Sequence, residues 1–262
     1  MSTITAGQVE VTYFTDPLCC WSWAMEPQWR RFRFEFRDRV QWRYCMSGLL
    51  PAWNQFQDSA HAVSRPAQMG PLWMEASHLS GMPINSAVWA LNPPASSYPA
   101  CIAVKCAQAQ SFDAGENYLR LLREAIMLHG KNIADVAVLF DVADYLSAIM
   151  ASLFDAERFR QDWESKEGVA AFRNDLAEVR LKNIKRFPTL LFRRQDKAPM
   201  VLQGYRPYAV WLQLLQQLSP DWKPQKASSL DVYKQHWLNT LEREEKELPA
   251  ESWLQNPEPT SR

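Results

Sequence analysis

The sequence lacks the features that would bring a protein to nucleic acid or into a membrane. Its 29 basic and 29 acidic residues cancel, and no long basic tract occurs. Nowhere do about 18 apolar residues follow one another, as a membrane-spanning helix requires. Residues 1–10 also lack the charged segment and apolar stretch of an export signal. We therefore expect a soluble, cytoplasmic protein that has neither nucleic acid nor a membrane as a partner.

Cysteine and histidine are also scarce. Five cysteines, an odd number, indicate reduced thiols rather than a disulfide framework. The four histidines show no ligand-like spacing to cysteine or carboxylate, so we expect no metal site. Cys101 and Cys106 stand about 140° apart around a helix axis. Each is interpreted as a small buried hydrophobe, which is the usual state of a free cysteine.

What the chain does have is a pattern of strand, turn, helix and strand at its start. Residues 9–15 alternate and are rich in β-branched and aromatic side chains, which predicts a strand. Residues 21–37 carry helix formers and charge, and Pro27 predicts a kink in that helix. A second strand is predicted at residues 40–48. Together these segments predict one βαβ unit.

The middle of the chain, from residue 51 to 184, has a helical pattern. Apolar residues recur every three or four positions in segments 98–110, 115–129, 133–150, 156–165 and 167–183. Strands are predicted again at 188–193 and 199–205, followed by a helix at 208–218. The predicted divisions are residues 1–50, 51–184, 185–220 and 221–262.

The last of these divisions is rich in Lys, Glu, Pro and Ser and has one amphipathic piece at 230–248. Such a composition offers little apolar surface to offset the loss of backbone entropy. We therefore expect residues 221–262 to form a partly helical, loosely attached tail that folding does not require.

Four blocks of sequence, in order, resemble the DsbA family. They are DPLCCWSWAMEP at 16–27, SSYPACIAVKCA at 96–107, RFPTLLF at 186–192 and GYRP at 204–207. The resemblance implies an α/β architecture, a thioredoxin-like fold with a large all-helical insertion. The first block and SGLLPAWN at 47–54 look most like the cytoplasmic branch of the family. That branch contains dithiol-disulfide isomerases and the adaptor that presents a transcription factor to the ClpXP protease.

Two catalytic positions follow from the resemblance at the start of the first helix. Cys19 aligns with the attacking cysteine of the family, and Ser22 stands where the second cysteine belongs. A helix N-terminus favours the thiolate of Cys19, and we expect this thiol to be exposed and the most reactive. The hydroxyl of Ser22 either donates a hydrogen bond to that thiolate or caps a backbone N–H. Cys20 is interpreted as a bystander, because adjacent Cα atoms lie closer than a disulfide prefers.

The resemblance also implies a surface for an extended substrate. Pro188 would be the cis-proline of the family and part of the catalytic site, with Phe187 and Thr189 beside it in contact with the substrate. The alternative is an ordinary trans proline at the start of an edge strand. Trp21 and Trp23 are expected to line the same cleft, although tryptophans are more often core residues.

Three functions remain open at the level of sequence. The first is a thiol-disulfide oxidoreductase or isomerase that uses Cys19 alone, with glutathione or another small thiol as co-substrate and no bound cofactor. The second is a non-catalytic adaptor that binds a client protein. The third is a glutathione transferase or isomerase of the kappa type, in which serine activates the thiol. Retention of Cys19 favours the first function, whereas Ser22 and the tail favour the second.

Overall fold

The computed structural model describes residues 8–56, 58, 61, 63–225, 227 and 229–248. Strand β1 (Val9–Thr15) is followed by helices α1 (Cys20–Ala24) and α2 (Glu26–Glu35) and by strand β2 (Val40–Met46). The two helices are separated at Met25. Pro27 lies in the first turn of α2, so the predicted kink is present as a break between two helices.

Among the described residues, seven α-helices lie between β2 and the next strand. They are α3 (Met69–Ser80), α4 (Val88–Leu91), α5 (Tyr98–Gln110), α6 (Phe112–Met127), α7 (Val136–Ile149), α8 (Ala156–Glu164) and α9 (Glu167–Leu181). The five segments predicted to be helical correspond to α5 through α9. Helix α3 was missed as a separate element because Gly70 and Pro71 interrupt its pattern. Both residues lie in the first turn, where a proline is tolerated.

The chain ends with two further strands and three helices among the described residues. They are β3 (Thr189–Arg193), β4 (Met200–Gln203), α10 (Tyr208–Leu218), α11 (Leu230–Gln235) and α12 (Glu242–Glu245). The four strands form one sheet in the order β2-β1-β3-β4. The strand pairs that precede and follow the long helical segment thus join in one sheet, as expected for the predicted fold.

The chain divides into two compact units. The first comprises residues 1–13, 25–43 and 190–262, and the second comprises 14–24 and 44–189. In the second unit, α5 packs against α6 and α9. This division cuts through β1 and β2, so the boundaries expected at residues 50, 184 and 220 stay a prediction.

Aromatic rings fill the core of the first unit. Trp29 and Phe32 of α2 contact Trp211 of α10, with ring centroids 6.3 and 5.6 Å apart. Phe32 also meets Phe192 of β3 edge to face at 5.8 Å. These four side chains are buried, and such pairs add to the stabilisation from burial alone.

The described part of the tail packs onto α2, which corrects the expectation of loose attachment. Phe34 of α2 forms a buried cluster with Ala227, Tyr233 and Leu248, and the rings of Phe34 and Tyr233 lie 5.2 Å apart. The few apolar residues of the tail are therefore concentrated on one face. Composition alone could not reveal that concentration.

Charged groups of α2 also find partners in the tail. Nη1 of Arg30 donates to the carbonyl oxygen of Asn239 at 2.6 Å and lies 3.2 Å from Oε2 of Glu244. Nη1 of Arg31 donates to the carbonyl oxygen of Glu247 at 2.9 Å. One acidic side chain of the tail, Glu244, is thus used in a buried contact with α2.

Candidate thiol site

The turn between β1 and α1 is held by the buried carboxylate of Asp16. Its oxygens accept hydrogen bonds from the N–H groups of Leu18 at 2.8 Å and Leu49 at 2.7 Å. They also accept from the hydroxyl of Ser97 at 2.8 Å and the thiol of Cys101 at 3.3 Å. Burial raises the pKa of Asp16, and these four donors oppose that rise. One carboxylate therefore joins the turn to the segment after β2 and to α5.

Gly48 allows the chain to turn immediately before Leu49. Its φ of 62° lies in the left-handed region, where a side chain is strained. A Cβ at this position would also lie 2.9 Å from the side chains of Leu176 and Tyr98. The glycine in the SGLLPAWN segment is thus required by both backbone and space.

Cys19 immediately precedes α1, as predicted. Its carbonyl oxygen accepts from the N–H of Trp23 at 3.1 Å, and its own N–H donates to the carbonyl oxygen of Asp16 at 3.1 Å. However, the residue is only 3% exposed, so the expectation of an exposed thiol is wrong. Burial is the largest influence on Cys19 and raises its pKa.

Ser22 contacts the sulfur of Cys19. Its side chain and its backbone N–H both form hydrogen bonds with Cys19 that lower the pKa of the thiol. The positive charge of Arg123 lowers this pKa as well, whereas the negative charge of Asp16 raises it. The contact supports the first of the two interpretations of Ser22, and its catalytic role stays a prediction.

Sequence reasoning missed two polar residues of this site, Thr15 and Arg123. Arg123 lies on α6 and is 1% exposed. Its Nη2 donates to Oγ1 of Thr15 at 2.5 Å, although it lies 108 residues further along the chain. A signal was present, because Arg123 shares one helix face with Leu119 and Ile126. An arginine within a buried apolar stripe indicates a specific polar contact.

The residues around the predicted cis-proline lie together at the start of β3. The peptide bond between Phe187 and Pro188 is cis, as predicted. Pro188 and Thr189 are buried, and Phe187 is half-buried. The hydroxyl of Thr189 donates to the carbonyl oxygen of Arg186 at 2.6 Å. The substrate-binding roles of these residues stay predictions.

The two tryptophans of the first block differ in their surroundings. Trp23 is fully buried, its Nε1 donates to the carbonyl oxygen of Pro83 at 3.0 Å, and Arg120 lies 4.6 Å from the centre of its ring. It is a core residue, which corrects its expected place in a substrate-binding surface. Trp21 is half-buried and stacks on His61 with centroids 6.4 Å apart. Of the two, Trp21 is therefore the one that a binding partner can reach.

The other four cysteines are buried too. Burial raises the pKa of Cys20 and Cys101 well above the ordinary value and that of Cys106 to about 12. The thiol of Cys45 donates to the carbonyl oxygen of Asp175 at 3.6 Å. These contacts agree with the interpretation of Cys101 and Cys106 as buried residues.

Among the described residues, no group of three or more His, Cys, Asp and Glu side chains is arranged to hold a metal ion. Within the same part of the chain, every helix is too short or too polar to cross a membrane.

Comparison with known proteins places these observations in a family. A family profile described as Thioredoxin matches residues 13–213. The ClpXP adapter protein SpxH of Halalkalibacterium halodurans is 28% identical over 236 residues, which cover 89% of this chain and 74% of that protein.

Two solved structures share the fold. A proposed protein disulfide isomerase from Nitrosomonas europaea has a TM-score of 0.67 at 19% identity, covering 82% of this chain and all of that one. The cytosolic disulfide reductase DsbM from Pseudomonas aeruginosa has a TM-score of 0.60 at 18% identity, covering 80% of this chain and all of that one. Both likenesses show that this chain has the thioredoxin-like fold. The chain belongs to the thioredoxin family, and the relatives and structures that it is similar to match the DsbA-like and ClpXP-adaptor-like resemblance of its sequence blocks.

Proposed function

We propose that this protein is a thioredoxin-like adaptor that binds a client protein and presents it to the ClpXP protease. The state of Cys19 carries the proposal. Its thiol is buried, burial raises its pKa, and Ser22 stands where a second thiol would complete a dithiol. Dithiol turnover needs an accessible thiolate and then a second thiol that releases the mixed disulfide. The site keeps the thioredoxin-like framework without these two features.

The similarity to the ClpXP adapter protein SpxH supports the same function, because it extends over 89% of this chain. The match to the thioredoxin family profile, at residues 13–213, includes both the turn at Cys19 and the strand that begins at Thr189. A cytoplasmic location is part of the proposal, and all five cysteines are thiols, which suits a reducing compartment.

Trp21 is the residue through which we propose that the client makes contact. It lies in α1, two residues after Cys19, is half-buried, and stacks on His61. A large aromatic ring with an accessible face is typical of residues that dominate protein interfaces. Leu181 offers a matched control, since it is an apolar side chain that is 86% exposed on α9.

The experiment uses a ClpP variant that traps proteins without degrading them. It is expressed in cells that naturally produce this chain and in matched cells from which the chain has been deleted. A protein trapped only when the chain is present is purified and incubated with ClpXP. We expect the chain to increase its rate of degradation. Cys19→Ala should retain that increase, Trp21→Ala should reduce it, and Leu181→Ala should leave it unchanged. If no trapped protein depends on the chain, or if ClpXP degrades it equally well without the chain, the proposal fails.

A second function, thiol exchange with glutathione, is favoured by one specific observation. The side chain and N–H of Ser22 form hydrogen bonds with the sulfur of Cys19 that lower its pKa. The test is turnover of a glutathione mixed disulfide by the purified protein. Turnover that Cys19→Ala abolishes would favour the enzyme over the adaptor. Insulin reduction with dithiothreitol should then also rise in Ser22→Cys, since residues three apart at a helix start lie on one side.

A further inference from the structure

Three buried polar side chains form a continuous hydrogen-bond chain that leads to Cys19. Nη2 of Arg123 donates to Oγ1 of Thr15 at 2.5 Å, and Oγ1 of Thr15 donates to Oγ of Ser22 at 2.8 Å. The side chain of Ser22 in turn hydrogen-bonds to Cys19. Arg123, Thr15, Ser22 and Cys19 are all between 0 and 3% exposed.

The hydrogen bonds of this series run from Arg123 towards Ser22. A guanidinium group can only donate, so Thr15 must accept the hydrogen bond from Arg123. A hydroxyl group carries a single proton, and Thr15 gives its proton to the oxygen of Ser22. The proton of the Ser22 hydroxyl is then available for the sulfur of Cys19, which becomes an acceptor. An acceptor sulfur is stabilised as the thiolate.

We propose that Arg123 is a positioning residue that acts through Thr15 and Ser22 to direct a hydrogen bond onto the sulfur of Cys19 and so to favour its thiolate. The inference goes beyond the adaptor proposal, because it concerns the protonation of Cys19 in either function. Hydrogen bonds that are joined in a chain polarise one another, so a charge at one end strengthens the bond at the other. The fixed charge of arginine suits this role, since it does not titrate in proteins.

Other charged or titratable groups also act on this thiol. Asp16 in the turn opposes the thiolate, and Cys20 of α1 interacts with Cys19 electrostatically. Glu75 of α3 acts on Cys20, and Arg120 of α6 lies over the ring of Trp23. None of these groups belongs to the described hydrogen-bond chain. The effect of a substitution in the hydrogen-bond chain can therefore be distinguished from the effects of these groups.

The cysteines themselves support the proposal. Burial raises the pKa of Cys20 and Cys101 well above the ordinary value and that of Cys106 to about 12, whereas the pKa of Cys19 is raised less. Ser22 and Arg123 are among the groups that limit the rise at Cys19. We therefore expect Cys19 to form a thiolate more readily than Cys20, Cys101 and Cys106.

The test measures the rate at which iodoacetamide alkylates Cys19 as a function of pH, with peptide mapping to isolate this residue. Thr15→Val has nearly the same shape as the native residue and removes the hydroxyl that joins Arg123 to Ser22. We expect it to move the midpoint of the profile to higher pH and to slow alkylation near pH 8 by at least about threefold, which is half a pKa unit. The limiting rate at high pH should not fall.

Two matched variants separate this effect from a loss of packing. Thr15→Ser retains the hydroxyl and should restore the native midpoint. Thr12 lies on the same strand as Thr15 but is not part of the hydrogen-bond chain from Arg123 to Cys19. Thr12→Val removes its buried hydroxyl and should leave the midpoint unchanged. An equal midpoint in Thr15→Val and the native protein, a shift to lower pH, or the same shift in Thr12→Val would each overturn the proposal.

The role of Arg123 is tested with Arg123→Met and Arg123→Lys. We expect Arg123→Met to raise the midpoint as Thr15→Val does, and the double variant with Thr15→Val to add little further change. Arg123→Lys, which keeps the charge, should raise it less. A folded Arg123→Met protein with the native midpoint would refute the assignment. If that variant does not fold, the comparison of Thr15→Val with Thr15→Ser decides the question by itself.

Discussion

The contact between α2 and the tail and the turn at Cys19 both bury charged side chains, but they surround them differently. Arg30 in α2 lies 3.3 Å from Glu26 and 3.2 Å from Glu244, and 4.8 Å from the ring of Trp237. At the turn, the described bond of Arg123 goes to a hydroxyl. Asp16 accepts from N–H, hydroxyl and thiol donors.

This difference separates a structural from a chemical use of buried charge. Opposite charges in direct contact cancel most of each other's field, so the group around Arg30 mainly holds the tail in place. At the turn, the positive charge of Arg123 lowers the pKa of the Cys19 thiol, and its bond to Thr15 begins the hydrogen-bond chain that leads there. The predictions below test this contrast, beginning with the largest expected effect.

Removal of the tail should have the largest effect. A protein that ends at Pro220 loses the partners of Phe34 and Arg30, and exposes an apolar cluster together with a charge that has lost one of its carboxylates. We expect the free energy of unfolding to fall by more than about 3 kcal/mol, the cost of breaking one buried ion pair. Urea unfolding measures it, with a protein that ends at Leu248 as the control. If the protein that ends at Pro220 is as stable as the native protein, the tail is loosely attached, as its composition predicted.

Loss of a single buried carboxylate should have a smaller effect. The side chain of Glu244 is fully buried against Arg30, and it also accepts from the N–H of Leu241 at 2.7 Å. We expect Glu244→Gln to cost about 2 kcal/mol, less than a complete loss of pairing because Glu26 remains beside Arg30. Thermal and urea unfolding would show the change.

The control for that variant is an ion pair on the surface. Lys246 lies beside Glu242, and both side chains are largely exposed. Lys246→Ala should therefore change the free energy of unfolding by less than about 0.5 kcal/mol. Similar losses in Glu244→Gln and Lys246→Ala would mean that the buried pair is no more important than a surface pair.

Protonation of Asp16 should give stability a pH dependence of modest size. Because burial raises its pKa in the folded state, the folded protein holds this proton more tightly than the unfolded chain does. Stability from this group is fully present below the ordinary pKa of 3.8 and is lost as pH rises through the folded value. Relative to Asp16→Asn, the native protein should therefore lose stability as pH rises, by about 1.4 kcal/mol per pKa unit.

Urea unfolding of the native protein and of Asp16→Asn at a series of pH values measures this difference. The comparison uses the slope against pH, so a constant offset from the new amide does not affect it. A difference that grows in favour of the native protein with rising pH would mean that the four donors outweigh burial.

Substitution of Cys20 should have the smallest effect. Cys20 adjoins Cys19 at the start of α1 but does not belong to the hydrogen-bond chain from Arg123. We expect Cys20→Ser to change the alkylation rate of Cys19 by less than about twofold, which corresponds to about 0.3 of a pKa unit. Peptide mapping after limited alkylation is the measurement. A change as large as that of Thr15→Val would show that proximity, rather than the hydrogen-bond chain, sets the state of Cys19.

Local sequence patterns were sufficient to predict a strand, a helix or a helix break where the residues that determine it are close together in sequence. The β-branched alternation of residues 9–15 predicted β1, and the periodicity of residues 98–110 predicted α5 with its bounds. Pro27 predicted the break between the first two helices, because its ring and missing N–H act on the neighbouring turn.

Burial could not be predicted in the same way. A helix start is visible in the sequence around Cys19, but whether its thiol faces water depends on segments far along the chain. The burial of Trp23 could not be predicted for the same reason, because its partners are the distant residues Pro83 and Arg120. The packing of the tail could not be predicted either, because Tyr233 packs on Phe34, which lies far away in the sequence.

The sequence by itself determined the strands and most of the helices, the family, and the presence of one cysteine and one serine at a helix start. These features depend on local backbone preferences and on motifs within a few residues. Only the tertiary structure decided that this cysteine is buried, that Thr15 and Arg123 lead to it, and that the described tail packs on α2. The free energy of a buried group depends on which distant side chains solvate it, and folding brings those side chains together.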